Sequence, residues 1–422
     1  MGEMIMQDEK LSWPATAEVE PPLHLLPVMM LAVFTVSVGF GVLLPQLPAL
    51  IEQLLGDGSS PARVSRATGL MTALYMFAMF VCAPLWGRLS DHWGRKPVML
   101  IGLSGFGATM IGFALFESLA AVYAGRVLSG VFAAAVAPVA LATVTDFNSS
   151  RDVLGRRLSF VSLAGISGFL LGPTLGVVLI RGSAGFAGAT GALAVPLVGT
   201  GVLALVAALA VTVTLPAKRS VAFDRRSAGT VTRPKLVRPL LALSFVVSSG
   251  VAVFEVGLAL RGRQELGLSS MQIAAMFTLC SLVMIVVQAV VFSPWVKPEL
   301  TRWLIAPAFG VMAAGLFAMP MASDFAAMLG VTGAVAASAG ILSPILTYWL
   351  ASHAGHKSGE DLGRQTSAAS LGAAIGSSMG GLLFNLPWLP NGAFLLMAGV
   401  TLMAVWPSLR LPGRLVAPPA DL

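Results

Sequence analysis

The chain has 422 residues, 56% of them hydrophobic and only 11% charged, with a mean hydropathy of +0.86. A water-soluble domain carries about 25% charged residues to solvate its surface, so a soluble globular protein is excluded. The formal charge of +7 is therefore read against a membrane, and a nucleic-acid partner has little support.

Twelve apolar runs are long enough to cross a hydrocarbon core of about 30 Å, which takes roughly 20 helical residues. They cover 25–48, 66–86, 98–116, 119–144, 158–180, 188–215, 237–260, 270–292, 303–321, 325–350, 366–387 and 391–409. A segment alone in lipid must satisfy its own backbone hydrogen bonds, so each run is predicted as a helix and the fold class as an all-α membrane protein. An even number of spans puts both termini on one side, and cations choose which. With the termini inside, cytoplasmic segments hold twenty of the 26 Lys and Arg residues, and the outer loops hold five: Arg63, Arg66, Arg181, Arg261 and Arg263. A multi-pass protein of the inner cell membrane, with both termini cytoplasmic, is expected. No cleavable signal peptide is expected, because the segment before the first span carries more acid than base. Cys82 and Cys280 lie in apolar runs, which implies neither a disulfide framework nor a metal-ligand set. Neither a metal nor a cofactor is predicted.

After a tail over 1–24, the first span has no acidic residue up to Leu50. In the second, Met71, Tyr75 and Met79 recur at intervals of four and share a face. Soft side chains suit a promiscuous apolar pocket, although such stripes more often pack helices. The loop that follows reads Gly87-Arg-Leu-Ser-Asp91-His-Trp-Gly94-Arg95-Lys96-Pro97, a carboxylate and several cations between two apolar runs. It resembles the signature Gly-x-Leu-x-Asp-x-x-Gly-Arg-(Arg/Lys) between helices 2 and 3 of the major facilitator superfamily. It matches at Gly87, Leu89, Asp91, Gly94, Arg95 and Lys96. The resemblance implies two pseudo-symmetric six-helix bundles related by an axis along the membrane normal, with a small-molecule substrate bound between them near the midplane. It further implies that Asp146, at the end of the fourth span, faces Arg95, and that Asp91 caps the start of the eleventh helix, closing an inner gate. A carboxylate opposite helix amides gains from the macrodipole.

Arg126 lies inside the fourth span, where a charge is costly enough to suggest function. It either faces a cavity or snorkels to the surface. It resembles the family's fourth-helix arginine, assigned to proton coupling, and Gly130 matches the glycine that follows. The fifth span carries Gly168, Gly172, Pro173 and Gly176, glycines every fourth residue on one face with a proline beside the middle one. This spacing permits close helix approach, and proline permits bending. It resembles Gly-x-x-x-Gly-Pro-x-x-Gly-Gly of the drug and proton antiporters within the superfamily, departing at Val177.

Residues 216–236 form a polar linker, and 216–238 contain seven cations against one acid, Asp224. The linker divides a bundle over 25–215 from one over 237–410, leaving 411–422 as a tail. An offset of 208 residues aligns Leu154-Gly155-Arg156 with Leu362-Gly363-Arg364, Ser159 with Ser367, Ser162-Leu163 with Ser370-Leu371, Gly168 with Gly376 and Gly172 with Gly380. Such self-similarity marks a duplicated unit. The second-half equivalent of the charged loop, 293–299, has lost the signature, so unequal gating of the halves is expected. In the seventh span Glu255 is a carboxyl in an apolar setting. With no acid in the first span, it is the leading group for loading and releasing a proton.

Gly165-Ile-Ser167-Gly168 matches the Gly-x-Ser-Gly of rhomboid-type serine proteases, but that chemistry needs a histidine in a neighbouring span. His24, His92, His353 and His356 all fall at or outside the membrane edges. The chain is read as a transporter rather than an enzyme. The resemblance implies a monomeric, proton-gradient-driven exporter of drug-like or amphipathic molecules, similar in its first half to tetracycline-type exporters. A siderophore, sugar or amino-acid exporter shares the same pattern.

Overall fold

The computed structural model describes residues 24–56, 60–115, 118–146, 151–215, 234–291, 300–353, 358–386 and 389–415. Within 151–156, 184–193 and 358–363 it describes the backbone alone, which leaves out the first part of the repeat. The linker core at 216–233 and the loop at 293–299 lie outside the described residues.

The first apolar run folds as α1 (Leu25–Leu43) and, after a short 3₁₀ turn containing Pro45, α2 (Leu47–Leu55). Then follow α3 (Pro61–Trp93), α4 (Arg95–Phe113), α5 (Leu119–Thr145) and α6 (Arg151–Thr214). Serine caps open two of them: the Ser60 and Ser118 side chains accept from the amides of Arg63 and Ala121, three residues on. α6 holds two spans, Phe160–Ser183 and Ala194–Thr214. Methyl groups added at Gly41 and Gly39 would touch Gly172 and Thr200 respectively. Both spans thus lie against one turn of α1, so the chain reverses within 184–193.

The second half contains α7 (Pro234–Gln264), α8 (Ser270–Val291), α9 (Thr301–Ala318), α10 (Phe325–His353), α11 (Ser358–Leu382) and α12 (Gly392–Leu415). α7 starts inside the predicted linker, and its opening Pro234 suits a first turn whose amide needs no partner. Asn385–Leu386 and Leu389–Pro390 form a two-stranded hairpin before α12, which the apolar pattern does not signal.

Among the described residues, eleven helical stretches are long and apolar enough to cross a membrane. The remaining predicted span, the eleventh (366–387), falls in α11 and is less apolar for a physical reason. It is wedged between α7 and α3, so its Ser and Gly face neighbouring helices instead of lipid, where small residues permit close approach. Helices α1 and α3–α6 pack chiefly on one another, as do α7–α12, and the two groups join through α3–α11 and α6–α8.

Candidate functional site

The charged loop is a staple. Gly94, at φ +92°, turns the chain between α3 and α4, a conformation glycine adopts at little cost. Arg95 is thereby folded back: its Nη1 donates to Asp91 Oδ1 and to Ser90 Oγ at 2.6 Å each, and its Nε donates to Asp146 Oδ2 at 2.9 Å. Asp146 is the residue at which α5 ends. Lys96 Nζ donates to the Thr212 and Leu215 carbonyls at 2.7 Å each. These lie at the end of α6, where carbonyls lack helical partners and the dipole favours a cation. Four helix ends are tied by two side chains. Asp91 is bound to Arg95 and its side chain is 60% exposed. Its predicted partner, the first turn of α11, lies outside the described side chains.

The ends of α3 differ sharply. Near the opposite membrane face, a methyl group at Gly69 would lie 2.5 Å from the Gly381 Cα, so the α3 and α11 backbones touch. At Gly87 a methyl group would meet nothing within 4 Å, and Leu85 is 57% exposed. More links between the halves gather at the Gly69 end. Arg263 Nη2 of α7 pairs with Glu52 Oε2 of α2 at 3.2 Å. Asn385 Nδ2 donates to Ser65 Oγ at 2.8 Å and to Gln264 Oε1 at 2.9 Å, and Gln264 Nε2 donates to the Pro61 carbonyl at 3.3 Å. Thr174 and Thr278 hydroxyls share a hydrogen bond of 2.6 Å between α6 and α8. Among the described residues, the links between the halves gather at this face, and Gly87 at the Arg95 face meets none of them. Sequence spacing does not signal these contacts: of the closing residues only Arg263 stands out, as an outer-loop cation.

Arg126 neither snorkels nor opens to a cavity, because it is 1% exposed. Gly130 lets α5 press so close to α3 that any side chain there would overlap the Tyr75 carbonyl. The guanidinium sits 4.6 Å from the Tyr75 ring centroid and 5.9 Å from that of Phe40. Its Nε donates to the Met71 carbonyl at 3.3 Å, and among the described residues its Nη2 has no acceptor. Aromatic faces thus stand where an acid would be expected. This corrects the reading of the second-span stripe: Met71 and Tyr75 are buried against Arg126, and only Met79 is half-buried. A ladder of rings continues from Tyr75 through Phe40 (5.3 Å between centroids) and Phe169 (5.8 Å) to Phe277 in the other half (6.4 Å).

Glu255 is half-buried on α7, whereas Val253, Phe254 and Val256 around it are buried. It completes a half-open stripe with Leu241, Phe245, Ser248 and Val251. Most of the rest of α7 is enclosed by neighbouring helices, with Arg238, Ala242 and Arg263 exposed. Among the described residues, the Glu255 carboxyl has no hydrogen bond or ion pair.

The glycines of the fifth span are close-contact positions. Any Cβ at Gly168 would overlap the Phe34 carbonyl oxygen, and at Gly172 it would lie 2.8 Å from the Gly41 backbone. At Gly176 the close contact would be the Gln46 side chain, at 2.5 Å, with Val42 at ordinary distances of 3.5 and 3.6 Å. Pro173 abuts Gly41 from the same turn. In α11, Gly372 and Gly376 press on the Phe245 and Ser249 carbonyls of α7 in the same manner. α6 against α1 and α11 against α7 are thus equivalent crossings.

Two groups of membrane-length helices, joined at one face and with one group stapled at the other, define a multi-span membrane protein of two bundles. The Major Facilitator Superfamily model matches residues 29–360, and the chain belongs to that family. Multidrug resistance protein 2 of Bacillus subtilis is 26% identical over 395 residues, covering 90% of this chain and 94% of its own. The quinolone resistance protein NorA of Staphylococcus aureus is 24% identical, covering 85% and 89%. The class C tetracycline resistance protein of Escherichia coli is 31% identical over 147 residues, 34% and 36% of the two chains. The crystal structure of the human organic anion transporter MFSD10 (TETRAN) superimposes with a TM-score of 0.72 at 21% identity, covering 92% and 100%, which shows the fold.

Proposed function

We propose that this protein exports drug-like or amphipathic small molecules across the inner membrane in exchange for protons, by alternating access between its two halves. The observation that carries this reading is the contrast along α3: backbone contact with α11 at Gly69 and open space at Gly87. A cleft shut on one side and parted on the other is one of the two states such a cycle needs. With both termini cytoplasmic, the open side is the cytoplasm, and the Arg95 staple stands at the inner mouth. Relatives whose names specify multidrug, quinolone and tetracycline resistance support efflux of such compounds.

In the proposed cycle substrate enters from the cytoplasm or inner leaflet, while Glu255 is the one unpaired carboxylate on the cleft stripe. Protonation of Glu255 from the outer side accompanies substrate release, and the return to the inward-open state delivers that proton to the cytoplasm. Arg126, stacked on the buried Tyr75 ring, positions the half-buried Phe40 at the cleft. The gate closes inside when α3 swings toward α11 and Asp91 exchanges part of its bond to Arg95 for the α11 terminus. The test is a growth-inhibition screen in a strain lacking its own efflux systems. Expression is expected to raise the tolerated concentration of several unrelated amphipathic compounds. Unchanged tolerance throughout, with protein present in the membrane, would contradict the reading.

A further inference from the structure

At the Arg95 side of the membrane, the start of α9 and the end of α12 each present an arginine stacked on an exposed tryptophan. The Arg410 Cζ lies 3.8 Å from the Trp406 ring centroid, and the Arg302 Cζ lies 5.7 Å from that of Trp303. Trp303 is 59% exposed and Trp406 63%. The two arginines share one depth. Met312 of α9 and Thr401 of α12 both touch the position a Gly250 side chain would occupy, which fixes the register of these antiparallel helices. Arg302 lies ten residues down α9 from Met312, and Arg410 nine down α12 from Thr401, so at 1.5 Å per residue they differ in depth by only about 2 Å.

Above them the exposed faces of both helices are apolar, with Val311 and Phe317 on α9 and Leu402 and Leu409 on α12. Among the described residues the buried Arg302 Nε has no acceptor, and the side chain as a whole stays half-buried. Stacked cations at the level of the lipid headgroups, exposed indoles beside them and apolar helix faces above together match one ligand. We propose that the α9–α12 face binds an anionic phospholipid. Its phosphate would lie between Arg302 and Arg410, its glycerol beside the two indoles and its acyl chains along the helices. The membrane supplies this ligand, because a free phosphate would leave the tryptophans and apolar faces unused.

Native mass spectrometry of the purified full-length protein, titrated with phosphatidylglycerol or phosphatidylcholine, tests the proposal. Basic residues near a membrane surface contribute about 1 kcal/mol each toward anionic lipid, so the two arginines should give a preference of roughly thirtyfold for phosphatidylglycerol. R302Q/R410Q should abolish it, R302K/R410K should keep most of it, and the exposed R410Q alone should lower it roughly fivefold. R88Q, which removes an exposed cation elsewhere on the same side, should leave it intact. Equal binding of the two lipids by the wild-type protein would overturn the proposal. So would retained preference in R302Q/R410Q or R410Q, or a loss of preference in R88Q as large as in R302Q/R410Q.

Discussion

At the scale of single residues, position decides what each charge can contribute. Arg95 bridges Asp91 and Asp146 at a partly exposed helix junction, where an i,i+4 pair stabilises by only about 0.3–0.5 kcal/mol. Asp91→Asn should therefore insert and fold normally while losing tenfold or more in turnover, because its task is to exchange partners during gating. Arg95→Ala should behave alike. Transport by well-expressed Asp91→Asn at the wild-type rate would remove this role. Arg126 is different, since its charge is buried among rings with one donor unused. Lysine keeps the charge but loses the planar group that lies over Tyr75. Arg126→Lys should still bind substrate, measured by tryptophan quenching, yet fail in coupled transport. Equal transport by the Lys and Ala variants and wild type would make the guanidinium dispensable.

At the scale of helices, the glycine faces separate hard contacts from soft ones. Gly172→Val drives a branched side chain into the Gly41 backbone, which cannot yield without moving α1, whereas the one tight contact at Gly176→Val is the movable end of Gln46, with Val42 at ordinary distance. Vesicle transport should be abolished by the first change and reduced severalfold by the second. Equal tolerance of both would mean that α1 and α6 are not in contact during the cycle. The sequence announces the Gly168–Gly176 face because spacing along one helix is local information. The gate loop is legible for the same reason, with Asp91, Gly94, Arg95 and Lys96 within six positions. The closing contacts are not legible: Gly69 meets Gly381, and Ser65 meets Gln264 and Asn385, across most of the chain. Such pairs carry no motif until the fold brings them together. Met71 and Tyr75 show the converse limit, because a helical stripe has the same spacing whether it lines a cleft or packs on Arg126.

At the scale of the molecule, a shut face and a parted face imply that the closing contacts must break in every cycle. The Glu52–Arg263 pair and the Gln264–Asn385–Ser65 cluster lie away from the ring ladder and from Glu255. Gln264→Ala with Glu52→Gln should shift the population toward the outward-open form. Alkylation of a cysteine placed at Gly69 does not suit this measurement, because Gly69 is a backbone contact. A cysteine at Met79, deeper on α3, should instead become reactive to an impermeant reagent added outside, in a background lacking Cys82 and Cys280. Unchanged reactivity would leave the cluster without a gating role.

The most direct measurement of proton-coupled export compares the wild-type protein with Glu255→Gln in proteoliposomes, under an imposed pH gradient and using a compound that the growth screen identifies. The amide stands in for the protonated carboxyl, and antiport needs a group whose protonation differs between the two facing states. The wild-type protein should accumulate the compound uphill only while the gradient lasts. Glu255→Gln should lose uphill accumulation and keep downhill exchange. Uphill pumping by Glu255→Gln at the wild-type rate would contradict the assignment and move the coupling proton to another carboxyl, with Asp146 the next to test.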